Sequence, residues 1–203
     1  MTFNYGTRNL TGQQKAIINE REKNDKILKE GSKQNSISKF NTFEIAIFMK
    51  LGQESSGKYN GIETLKIYQE FCINKGSVWF STDSLAKGMS EKKRLLFLEE
   101  IEKNNIVEIY FAVGKGIDKI NDIVFKGEVI DIKSDKEGVC SPDMNYTPSE
   151  WRNNNNKIWI KVKNLKPFDK LCAEDFIVES SGNVLKDIIN RSQYQFGYIK
   201  RKS

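Results

Sequence analysis

The chain has no histidine among its 203 residues, and only three cysteines and three prolines. Without imidazole there is no histidine general base, no Ser–His or Cys–His nucleophile pair and no histidine metal ligand. Cys72, Cys140 and Cys172 are odd in number and widely spaced, so no disulfide framework is expected and they read as reduced thiols. Apolar runs such as residues 43–49 fall far short of the roughly 20 residues that cross a bilayer. The first residues show no charged segment leading into an apolar stretch, so no secretory signal is expected. These absences lead us to expect a cytoplasmic protein without a membrane partner. Cofactor motifs are missing as well. Ser56-Gly57-Lys58-Tyr59 lacks the spacing of a phosphate-cradling loop, and Gly114-Lys115-Gly116 is only a turn signal. Glu128 and Asp131 sit in a strand candidate with no partner at catalytic spacing. The expectation is a binding protein rather than an enzyme, with no catalytic residue, metal or cofactor.

Hydrophobic residues make up 38% and charged residues 30%, a soluble globular composition. The net charge of +6, from 33 basic and 27 acidic residues, modestly favours anionic partners such as phosphate backbones. A solvated lysine-rich surface accounts for it equally well.

Two regions are expected. Residues 1–39 form a polar arm: a helix over 11–30, capped by Thr11 and ended by Gly31, then a Ser/Asn-rich linker. Residues 40–203 form a compact α+β domain. Residues 40–51 predict a buried strand. Apolar positions 62, 65, 67, 68, 71 and 72 predict a helix over 62–73. A strand over 77–81 and a helix over 90–103, capped by Ser90, follow. Strands are then expected at 106–113, 122–134 and 157–163, a helix at 183–190, and a strand or closing turn at 192–199. Gly127 is placed to mark a bulge or a barrel bend. This order suggests a small mixed β-barrel with flanking helices.

The aromatics are the most informative feature within it. Trp79 lies in the strand candidate Gly76-Ser77-Val78-Trp79-Phe80-Ser81-Thr82, where either a core role or a binding role fits. Trp151 lies in a polar loop before the strand Lys157-Ile158-Trp159-Ile160-Lys161-Val162-Lys163, and Trp159 reads as sheet packing. Flipped or single-stranded bases are held by stacking on such rings. One stack, worth about 1–3 kcal/mol, offsets the few kcal/mol needed to extrude a base. Ser77, Ser81 and Thr82 are available to read a base edge. Arg152, Lys157 and Lys161 are candidates for a phosphate-binding rim, with Lys163, Lys200, Arg201 and Lys202 beyond them; ordinary solvated charge is the alternative for each.

Trp79-Phe80-Ser81-Thr82 resembles the Trp-Cys-Ser-Thr segment that follows the first helix of YTH domains. Residues 109–114 and 125–132 stand where those domains have two strands after their second helix. Residues 146–151 and 158–165 resemble their Trp-containing loop and the Trp-Ile-rich strand after it. On these motifs residues 40–200 resemble the YTH/EVE branch of the PUA-like superfamily, including the EVE-type modules fused to some McrB-like restriction enzymes. The resemblance implies a PUA-like fold and an aromatic cage for a modified or flipped base in DNA or RNA. Carried over, the cage walls are Trp79, Tyr146 and Trp151, with Phe80, Ser81 and Thr82 beside the base. Tyr146 stands where many of these domains have a second tryptophan, Phe80 replaces their cysteine, and residues 114–122 lengthen one connection. By analogy, it also implies a part in phage defence or counter-defence. Two other readings stay open: a protein-interaction or inhibitor module acting through residues 1–39, and an accessory domain that binds a small nucleotide.

Overall fold

The computed structural model describes residues 41–54, 57–114 and 121–202. The expected arm and linker at 1–39 and most of the 114–122 insertion lie outside these residues. Among the described residues, seven strands and three α-helices follow one another as β1 (Ile45–Leu51), α1 (Gly61–Lys75), β2 (Val78–Thr82), α2 (Glu91–Glu102), β3 (Val107–Val113), β4 (Asp122–Val139), β5 (Asn156–Pro167), β6 (Phe176–Val178), α3 (Leu185–Arg191) and β7 (Phe196–Arg201). The α+β class expected from the sequence is present. The start of α1 is fixed by a reciprocal cap: the Glu63 amide donates to the Asn60 side chain, and the Asn60 amide donates to the Glu63 carboxylate, both at 2.9 Å. Gly76, at φ 79°, ends α1 in the left-handed conformation. Ser90 caps α2 as its position suggests. No helix among the described residues is long and apolar enough to cross a membrane.

All seven strands form one mixed sheet in the order β2-β5-β4-β3-β1-β7-β6. Only β1 and β3 pair in parallel; the other neighbours are antiparallel. β3 is buried along its whole length and β1 over Ile45–Met49, because both faces of the sheet are covered there. That double coverage explains their continuous apolar runs, whereas β4 alternates buried and half-buried residues.

The expected barrel is not closed. Closure requires the two edge strands to pair, and here β2 and β6 end the order without pairing to each other. The sheet curls strongly nonetheless. Phe80 on β2 and Phe111 on β3 lie three strands apart, about 14 Å in a flat sheet, yet their ring centroids are 5.1 Å apart. Register shifts in the β4–β5 ladder, at Lys126/Glu128, Val129/Asp131 and Ser134/Val139, supply bends of this kind. Gly127 sits at the first of them, as its sequence position suggests, and a Cβ there would strike Val162. Gly127→Ala is expected to cost about 1–3 kcal/mol through overpacking, read as a lower melting temperature.

α1 and α2 cover the concave face. There Phe80, Phe97, Phe111, Ile132 and Ile160 belong to the larger core. A second core lies on the opposite face, where Phe48, Tyr110 and Ile199 meet Phe176, Leu185 and Ile189. Glu108 is buried at its margin. Tyr110 Oη donates to its carboxylate at 2.7 Å, Lys126 Nζ at 3.0 Å and Arg201 Nη2 at 2.7 Å. Burial pushes the carboxyl up, but these hydrogen bonds and the two cations outweigh it and hold the carboxyl below its usual range. A carboxyl lowered on folding adds stability above its unfolded pKa, and that stability is lost as pH falls through the folded value. Glu108→Gln should therefore melt lower than the parent near neutral pH. The gap between them should narrow below about pH 4, in melts followed by circular dichroism.

Candidate functional site

The curl brings the C-terminal end of β1 opposite β2 across a cleft of about 570 Å³. One side is formed by residues 49–54. The opposite side is formed by Phe80, Ser81 and Thr82 of β2, with Asp83 and Ser84 beyond them. Thr64 and Tyr68 of α1 contribute the floor, and Glu150, Trp151, Asn154 and Asn156 reach in from the β4–β5 connection.

Three rings in contact organise the interior. Tyr68 lies 4.3 Å from Phe80 on one side, tilted by 34°, and 4.4 Å from Trp151 on the other, stacked nearly parallel at 11°. Tyr59 meets Trp151 at 6.2 Å. The Trp151 indole is oriented by its Nε1, which donates to Glu54 Oε2 at 3.2 Å. Burial pushes the Tyr68 phenol strongly up, while hydrogen bonds from Ser81 oppose this. Tyr68 thus stays neutral as a ring platform. Asn156 Nδ2 donates to Ser81 Oγ at 2.7 Å, and the Lys157 amide donates to Asp83 Oδ1 at 2.7 Å, so β5 holds the β2 end of the cleft in place. Thr64 Oγ1 is buried and has no hydrogen-bond partner among the described residues.

The expected base-binding residues fall into two groups. Phe80, Ser81, Thr82 and Trp151 line the cleft; Trp79 and Tyr146 do not. Successive strand residues point to opposite faces, so the Trp79 ring lies on the sheet face opposite the Phe80 ring, and Trp79 is not part of the cleft lining. Trp79 is 3% exposed and pairs with Lys161 in the β2–β5 ladder. Lys161 Nζ lies 4.2 Å from the centroid of the Tyr146 ring and 5.7 Å from that of Trp79. These three therefore meet on the other face, with an ammonium against the rings. None of the candidate phosphate contacts Arg152, Lys157 and Lys161 lines this cleft. Lys161 is engaged as described, and Arg152 Nη2 turns back to the Thr147 carbonyl at 3.3 Å. Lys157 is half-buried and meets Asp83 through its backbone. Trp159 is fully buried, its Nε1 donating to the Val139 carbonyl, which agrees with a packing role.

Sequence reasoning missed Tyr68, Thr64, Glu54 and Asn156. The helical spacing did place Tyr68 on the buried stripe of α1, and a threonine four residues before it on the same stripe was a usable polar signal. Next to this cleft lies a second one of about 300 Å³, lined by Lys50, Gly114, Asn121 and residues 189–193. The two share Lys50, Leu51, Gly52 and Gln195. Among the described residues no cluster of histidine, cysteine, aspartate or glutamate could hold a metal ion. Comparison of the chain with protein-family models, curated proteins and solved structures finds no match.

Proposed function

We propose that this chain is a nucleic-acid-binding module of the PUA-like, YTH/EVE type that receives a modified or flipped base in the cleft beside Trp151. The observation that carries the proposal is the Phe80–Tyr68–Trp151 ring group at a cleft also lined by polar side chains such as Ser81, Thr82, Asn154 and Asn156. Its volume of about 570 Å³ lies within the roughly 300–1,000 Å³ common for small-ligand sites. Aromatic rings give stacking energy, and Ser81, Thr82 and Asn156 supply groups that can read a base edge. The sequence resemblance and the net charge of +6 point the same way. The role is recognition without catalysis.

In this proposal the phosphate backbone passes along the neighbouring cleft, beside Lys50 and Arg191. Arg191→Ala is then expected to weaken modified and unmodified oligonucleotides by similar factors, and to lower the salt slope of binding by about one unit. The proposal is tested by fluorescence titration with single strands carrying a panel of modified bases over a range of salt. Steep salt dependence together with a preference for one base supports it. Binding of free nucleosides as tight as that of the polymer would favour a small-nucleotide domain instead.

A further inference from the structure

Two hydroxyls of the cleft hold more protons than the groups around them accept. Tyr68 and Ser81 both line the cleft. Tyr68 is 2% exposed and its ring is held between Phe80 and Trp151, so packing fixes where its hydroxyl sits. Ser81, half-buried near the end of β2, bonds to that phenol through both its amide and its hydroxyl. The amide has only a proton to offer, so it donates to Tyr68 Oη. Asn156 Nδ2 likewise donates to Ser81 Oγ, at 2.7 Å. Each hydroxyl oxygen thus accepts a bond whose direction is fixed, and each hydroxyl carries one proton of its own. Burial pushes the phenol strongly up, so its proton is kept at physiological pH. The bond between the two hydroxyls uses one of the two protons, whichever hydroxyl donates. No acceptor among the described residues takes the other. Thr82, next along β2, is occupied elsewhere: its Oγ1 accepts from the Ser84 amide at 3.1 Å and pairs with the Ser84 hydroxyl at 2.7 Å.

We infer that Tyr68 and Ser81 act together as one hydrogen-bond donor that reads an acceptor on the edge of the bound base, either a ring oxo group or an unprotonated ring nitrogen. The inference rests on the base-binding reading above and adds a chemical requirement to it, since a flat ring alone no longer suffices. A base without an acceptor at that edge leaves the spare proton unpaired in a site closed to water, which costs more than the bond's net gain. Neither hydroxyl is indispensable by itself. Without Tyr68 Oη the spare proton is that of Ser81, and without Ser81 Oγ it is that of Tyr68. Asn156 is a positioning residue that holds Ser81 Oγ in place.

The test compares three short single-stranded DNA oligonucleotides identical except at one central position, which holds thymine, its difluorotoluene isostere or an abasic sugar. The isostere keeps the shape and the stacking ring of thymine, but its fluorines are poor acceptors, so the acceptor is the variable. Titrated against the full chain at neutral pH, the thymine strand is expected to bind about fivefold tighter than the isostere strand, and the isostere strand tighter than the abasic one. Tyr68→Phe and Ser81→Ala are each expected to keep part of the thymine-to-isostere ratio. The double variant Tyr68→Phe, Ser81→Ala should bring it close to one, a larger loss than the two single losses combined, with circular dichroism showing the fold retained. Equal binding of thymine and isostere by the parent, both above the abasic strand, would overturn the inference and leave the base-binding reading intact. The same affinity for all three strands would overturn both. A ratio that the double variant leaves unchanged would place the donor elsewhere and overturn the inference.

Discussion

Trp151→Ala is expected to remove base-dependent binding while leaving a folded protein. The indole stacks on Tyr68 at 4.4 Å and closes one side of the cleft. Losing a base stack costs on the order of 1–3 kcal/mol, roughly a tenfold to hundredfold loss of affinity. Phosphate contacts should survive, so residual binding should be salt-dependent and indifferent to the base. Trp151 is also 7% exposed and part of the core, so the truncation should cost stability, by about 3 kcal/mol for a ring of this size. Binding is therefore measured well below the melting temperature, on protein shown to be folded by circular dichroism. Trp151→Phe, which keeps a ring, should fall between parent and alanine variant. An alanine variant that still distinguishes bases as the parent does would remove the cleft from consideration as the base site.

Trp79→Ala should do the reverse. Trp79 is 3% exposed on the sheet face away from the cleft, against Lys161. Truncating a buried tryptophan costs about 3–5 kcal/mol, a fall of on the order of 10 °C in melting temperature for a domain of this length. The base preference of the folded fraction should be unchanged. A near-parental melting temperature with lost base preference would return Trp79 to the binding site.

These two tryptophans show what the sequence made legible. Periodicity located α1, and Ser90 marked the start of α2, each within a few residues of the range expected; the caps of α1, Asn60 and Gly76, were not read from the sequence. β1 and β3 were visible because burial on both faces leaves continuous apolar runs. β6 was missed, since three residues are too few to show a period. β4 and β5 run further than expected, Asp122–Val139 and Asn156–Pro167, because their polar ends are held by ladder pairing such as Val139 with Asn156. Barrel closure was over-read, because curl depends on bulges and edge pairing that no local pattern records. Of the residues singled out from the strand and loop motifs, Phe80, Ser81, Thr82 and Trp151 line the cleft. Assigning Trp79 and Phe80 to one pocket overlooked the alternation of a strand. Tyr68 looked like an ordinary core residue, because only the fold shows that its ring lies between Phe80 and Trp151.

The central claim is that the cleft beside Trp151 holds a base. It is tested most directly by titrating the full chain with two single strands that differ at one position, which carries either an uncharged modified base or an abasic sugar. The account predicts at least tenfold tighter binding of the base-bearing strand, with equal salt slopes for both and the difference abolished in Trp151→Ala. Equal affinity of the parent protein for the two strands would contradict it.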